Sequence, residues 1–346
     1  FSVWHALAVS QGLTSTVWLM STASLTPIHG SSVFTAAISH CMAFLILFAV
    51  AVVEHARART DFGALWESVR AMPFKLAFLG GLGFSATLLL VAAAPLLGVA
   101  LCQVLVVSGE VLTATQIDFC LGGQKRSAWT QLVAIIFVIL GVALNIHGEW
   151  NVNTHVTMTQ LASSSCLVYF VGACLVINST CSSHVREYVG ASNATVVATF
   201  VSSCGNLLIW LGVELVGVVH FRADYHVSTC ALWVTVGLCS SWNILVLTVV
   251  PRELGFSLTF CLITAGKLLG GLCADALGVV SRPRPLTAMR LISVLAVFVG
   301  ALFLKVDADV CFKKTAPDSG HDVGRRDTGV LPLDEPTTEL STLRCL

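Results

Sequence analysis

The sequence predicts an all-α, polytopic membrane protein with ten transmembrane helices arranged as two inverted five-helix repeats. Three observations point there. Charge is too scarce for a water-facing surface, since 11% of the 346 residues are charged and 56% are hydrophobic, against about 25% charged in soluble domains. Ten apolar stretches approach the ~20 residues that a spanning helix requires. Two ten-residue stretches, Gly109 to Asp118 and Gly266 to Asp275, match at an offset of 157 positions.

Composition also excludes. The formal net charge is zero, so nothing points to nucleic acid. The 13 cysteines include no pair with zinc-site spacing and read as small buried apolar residues. No cofactor or metal is expected.

The elements follow in order. Val3–Met20 lacks a basic leader and a small-residue cleavage site, so it reads as a span rather than a signal peptide. Phe34–Val53, Phe74–Ala94, Leu96–Phe119 and Ala128–Ile146 complete a first unit within residues 1–150. Leu161–Thr180, Ala194–Val216, Ala231–Val250, Leu254–Ala276 and Leu286–Val306 form a second unit within residues 151–306. Chain breakers fall between spans: Pro27, Gly30, Pro73, Pro95, Gly122-Gly123, Gly190, Pro251 and Pro283-Arg284-Pro285. Residues 307–346 are rich in charge, Pro, Ser, Thr and Gly, and read as a disordered cytoplasmic tail.

Basic residues orient the spans. With the N-terminus cytoplasmic, fourteen Lys and Arg lie on the cytoplasmic side, six of them at or beyond the last span. Four face the other way: Arg222, Arg282, Arg284 and Arg290. The bias places both termini in the cytoplasm and leaves plasma and internal membranes open. Five spans per unit is odd, so the second unit enters the membrane upside down, a familiar transporter plan. Gly30 with Gly190, Ser32 with Ser192, and Gly141 with Gly300 extend the repeat at slightly drifting offsets.

The run Pro95-Leu96-Leu97-Gly98-Val99-Ala100, then Val106-Val107-Ser108-Gly109-Glu110, then Asp118, resembles the signature of YdcZ-type proteins. These form a branch of the drug/metabolite transporter superfamily. Leu254-Gly255, Gly266-Lys267-Leu268-Leu269-Gly270-Gly271, Asp275 and Gly278 resemble it a second time. The likeness covers roughly residues 3–306. It implies a ten-helix transporter with a central cavity between repeats, and a fused pair where bacterial members are commonly single five-span units. Family members tend to carry Gln where this chain has Glu110 and Lys267.

Those two residues are the leading site candidates. At ~1.5 Å per residue each falls near half-depth of a ~30 Å hydrocarbon core, where a charge usually marks a function or a partner. Three readings stand: a permanent bridge between the halves, a pair that opens during transport, or two helices that face elsewhere so that the residues never touch. Asn178 and His40, and more weakly Gln11 and Trp18, lie in the first two spans of a repeat, which the superfamily resemblance sets beside the cavity. Asn206 and Asn243 are further polar residues within spans. Asp118 and Asp275 read as helix-end acids with a capping or interfacial role. The expected function is secondary-active, alternating-access transport of a small metabolite across a lipid bilayer. A coupling ion or proton and a homodimer are both left open. A nucleotide-sugar-type carrier of the same superfamily and a non-transporting scaffold are the alternatives. An enzyme is not expected, because the spans hold no nucleophile–base or metal constellation.

Overall fold

The computed structural model describes residues 2–58, 62–120, 128–152, 157–217, 227–254, 256–278 and 286–315. Among the described residues there are twelve helices and no strand. The first half supplies α1 (Val3–His29), α2 (Ser32–Ala58), α3 (Phe62–Ala71), α4 (Phe74–Ser85), α5 (Thr87–Leu97), α6 (Val99–Cys120) and α7 (Ala128–Val152). The second supplies α8 (Met158–Val189), α9 (Ala191–Leu215), α10 (Val227–Leu254), α11 (Phe256–Leu277) and α12 (Ala288–Thr315).

By length and composition, six described helical segments can cross a membrane: 32–58, 74–97, 159–189, 191–215, 229–251 and 259–277. Shorter apolar helices cover 99–114, 132–147 and 288–303. The 27-residue α1 buries polar side chains at Gln11, Thr16, Ser21 and Thr22. Each expected span falls on a helix, with α4 and α5 sharing the third.

Some punctuation is displaced. Pro27, Pro95 and Pro251 sit inside the closing turns of α1, α5 and α10 rather than between spans. A helix can outrun its apolar stretch, and neighbouring helices tolerate proline there. The stops come at Gly30 (φ 75°) and Gly98 (φ 82°), whose N–H groups donate back to the Thr26 and Ala94 carbonyls. The ten-residue α3, too short to span, is an addition to the expected layout. The α12 helix runs past Val306 to Thr315, so the segment expected to be a tail begins as helix. Residues 316–346, Gly122-Gly123 and Pro283–Pro285 lie outside the described residues.

Helix packing interlocks the halves. The α1 helix packs on α10 and α11, while α8 packs on α4, α5 and α6. Likewise α2 packs on α9 and α10, and α9 on α2 and α4; α6 meets α11, and α7 meets α12. Exchanging each of these helices for its repeat counterpart, with α4 and α5 together matching α10, returns these same pairings. Close approach is set by small residues, as in membrane bundles generally. A Cβ on Gly141 of α7 would stand 2.6 Å from the Ser293 carbonyl oxygen of α12, and one on Gly300 would stand 2.8 Å from that of Ala134.

The surface is apolar outside and polar inside. Ile136, Ile139 and Leu140 of α7, with Leu291, Ile292 and Leu295 of α12, are exposed. Gln103, Asn145, Thr199 and Asn206 are buried. Such a polarity suits lipid as the surrounding solvent.

Candidate functional site

Two helix crossings position the charged pair. On α6, Gly109 lies against Tyr169 and Ala173 of α8, and Gly172 of α8 lies against Val106 and Glu110. On α11, Gly266 lies against Val9, Gly12 and Leu13 of α1, and Gly12 lies against Ile263, Gly266 and Lys267. In each case any Cβ would meet backbone of the opposite helix. The residue after each α6 or α11 glycine, Glu110 or Lys267, is thereby carried into the interface where those two helices meet. Lys267 Nζ donates a hydrogen bond to Glu110 Oε1, and the side chains are 2% and 1% exposed. The Lys267 carbonyl accepts from Thr16 Oγ1 at 3.4 Å.

The pair is not symmetric about the space beside it. A cavity lies among α1, α2, α5, α6, α8, α10 and α11, with Lys267 in its wall. Glu110 is not in that wall; Val106, one turn earlier on α6, is. The cavity spans about 490 Å³ with its open mouth included, and about 40 Å³ of it accepts the centre of a water molecule. That is room for about three waters, at roughly 10–15 Å³ each on this measure.

Other candidates divide. Gln11, Trp18 and His40 line the cavity with Lys267. Trp18 Nε1 donates to Ser39 Oγ at 2.8 Å, which fixes the indole against α2. The His40 ring nitrogen Nδ1 lies 2.9 Å from the Ala36 carbonyl oxygen. The Asn206 amide stands 3.1 Å from the same nitrogen. Gln11 is 2% exposed, and its Oε1 has no hydrogen-bond partner among the described residues. Asn178 stands elsewhere, accepting from Ser182 Oγ at 2.9 Å with Gly83 of α4 against it.

Asp275 belongs to a helix end. Its carboxylate accepts from the Val99 N–H at 2.9 Å and the Ala100 N–H at 3.3 Å, capping α6, and Arg290 Nη1 lies 3.9 Å from Oδ2. Asp118 falls in α6, and its side chain lies outside what the structure describes.

Sequence reasoning did not pick out Ser15, Thr87 and Ser240, which also line the cavity, and gave Asn243 no site role. Helical period was the available signal. Gln11, Ser15 and Trp18 share one face of α1, and Ser240, Asn243, Ile244 and Leu247 share one face of α10, at i, i+3, i+4 and i+7 spacings. Asn243 Oδ1 accepts from Thr14 Oγ1 at 2.7 Å, tying those helices together.

A helical bundle that buries polar residues, encloses a cavity and shows apolar side chains outside is an integral, multi-pass membrane protein, and comparison with known families makes it a membrane transporter. The family described as "Putative inner membrane exporter, YdcZ" matches residues 3–144 and 164–303, and the chain belongs to that family, with one matched segment in each half. A solved structure described as "Crystal structure of protein" is similar in fold at 15% identity, covering 89% of this chain and 99% of its own, with a TM-score of 0.56. No curated protein matches the chain.

Proposed function

We propose that the chain is a secondary-active carrier of a small metabolite, working by alternating access about the cavity, with its two five-helix units inverted relative to each other and both termini cytoplasmic. One observation carries the reading: Lys267, which the repeat matches to Glu110, lines a cavity walled by helices of both halves. The exchange symmetry of the packing supports a pseudo-two-fold relation between the units, because α1 meets α11 as α8 meets α6, and an odd number of spans per unit would make that relation an inverted one. Rocking one unit against the other would open the cavity first at one end of the bundle and then at the other. An exposed charge pair at a surface contributes little. A buried pair resists separation strongly when broken one side at a time, so a cavity cation that already has a partner can be released to a solute only by exchange.

Different contacts gather at the two ends of the bundle. Where α1 ends and α2 begins, His29 and Phe34 pack with Trp210 and Trp233, their ring centroids 5.4–6.2 Å apart. Trp233 Nε1 donates to His29 Nε2 at 3.3 Å. At the other end His55 meets Asn193 at 3.0 Å, and Arg186 lies 3.8 Å from Glu253. These serve as the outer and inner closures.

The test is uptake of a metabolite panel by vesicles carrying the full chain, beside the cavity-filling variants Ser240→Phe and Ser15→Trp checked for folding by gel filtration. A carrier moves at least one solute, and the filled variants fold and do not. If the parent moves nothing and the filled variants match it in every respect, the carrier reading fails and a scaffold is favoured.

A further inference from the structure

On the carrier reading, we infer that the cavity takes a small monoanion, a carboxylate on a compact body, and that Glu110 takes up one proton as that anion binds. Lys267 is the one charged residue in the described wall, and its partner Glu110 stands behind it. A solute entering the cavity therefore meets the cation first. An anion on Lys267 Nζ replaces Glu110 as counter-ion. Glu110 is then left 1% exposed and without its ion pair, and its second oxygen, Oε2, already has no hydrogen-bond partner among the described residues. A carboxylate stranded there takes a proton rather than hold its charge.

The balance is simple. The empty site holds ammonium and carboxylate; the loaded site holds ammonium, bound carboxylate and neutral Glu110. Net charge at the site is unchanged, and anion and proton enter and leave together. A dianion would leave one negative charge uncompensated in the apolar bundle. A cation would have to pass Lys267 to reach Glu110. The wall suits a small body with one polar substituent, because Gln11, Ser15, Ser240 and Asn243 offer hydroxyl and amide groups beside the apolar Leu90 and Leu247.

Few other ionisable groups bear on Glu110 from the helices packed on α6. Lys267 of α11 is bonded to it, and Tyr169 of α8 stands at its height. Asp275 and Arg290 meet at the α6 N-terminus. Apart from cysteines, α5 carries none, and the described groups of α1, α7 and the rest of α8 stand toward helix ends, at His5, His29, His147 and from His184 to Tyr188. Glu110 is thus the group free to exchange a proton when Lys267 changes partner.

The test is calorimetry on the full chain in detergent with lactate and benzoate, against benzamide and benzylamine, from about pH 5 to pH 8. Only the carboxylates are expected to bind, with affinity falling about tenfold per pH unit, the slope for one proton taken up. Buffers of different ionisation heat read that proton directly. Glu110→Gln is expected to bind the carboxylates equally at every pH with no proton uptake, and Lys267→Gln not to bind them. Carboxylate binding by the parent that is flat with pH, preference for benzylamine, or no carboxylate binding at any pH overturns the inference. If Glu110→Gln does not fold, the parent's slope and proton count decide alone. Movement of neutral or cationic solutes that Ser240→Phe blocks keeps the carrier reading while this inference falls. Proton-linked binding without any movement in vesicles does the reverse.

Discussion

At the α6–α8 crossing, Gly109 and Gly172 let two backbones touch; at the α11–α1 crossing, Gly266 and Gly12 do the same. The backbone solution is duplicated down to which carbonyl each glycine faces, three residues before the partner glycine on α6, α8, α11 and α1 alike. The next residue is not duplicated. It is Glu110 in one copy and Lys267 in the other, and the two meet. Close packing between helices tolerates little change, because a methylene group at such a contact displaces main chain. The side chain one position on points into the seam between copies, where the only constraint is that the two members compensate. Geometry was retained while chemistry diverged.

The largest effects should come from breaking the shared part. Gly109→Leu and Gly266→Leu are expected to abolish folded protein on gel filtration, and the matching Ala variants to cost about 1–3 kcal/mol by overpacking. A crossing that accepts leucine would show that the contact is not required.

Next comes the part that differs. Lys267→Gln strands Glu110 behind the wall and should cost about 3–5 kcal/mol in thermal unfolding. Glu110→Gln should cost less, because Lys267 opens on a cavity that can hold water or an anion. The double Gln should recover most of the loss. Equal costs for the two single variants would sink the asymmetry. A smaller effect tests the α6 cap: Asp275→Ala removes the acceptor of two α6 N–H groups and should cost about 1–2 kcal/mol, with Asp275→Asn losing less. Smaller still, Trp233→Phe removes the indole hydrogen bond to His29, about 0.5–1.5 kcal/mol. Gly212→Ala, where an added Cβ meets nothing within 4 Å, should stay within about 0.5 kcal/mol.

The spans were legible because hydropathy over twenty residues is a strong signal, and the repeat because Gly109 and Gly266 carry their neighbours with them. Helix α3 was not legible: ten residues holding Trp66, Glu67 and Arg70 look like a loop when only spanning length is sought. The ends were misplaced at Pro27, Pro95 and Pro251, since local punctuation says where a helix weakens and packing decides where it stops. At the site, the pairing of Glu110 with Lys267 followed from matched positions. The cavity did not, because Ser15 and Ser240 are ordinary helix serines until α1 and α10 are set face to face. Asn178 looked equivalent to His40 in sequence, yet it faces α4 and Ser182, a matter of helix rotation that polarity alone does not report.

The Asp275 cap has a consequence for how the protein is made. Its carboxylate satisfies N–H groups that leave the ribosome 175 and 176 residues earlier, which at about 5–20 residues per second is roughly 9–35 seconds. Through that interval the start of α6 must rely on water, lipid headgroups or a chaperone for its hydrogen bonds. Synthesis order therefore makes the first half a client of the second, and a chain truncated between them would present an unfinished helix end to whatever quality control patrols the membrane.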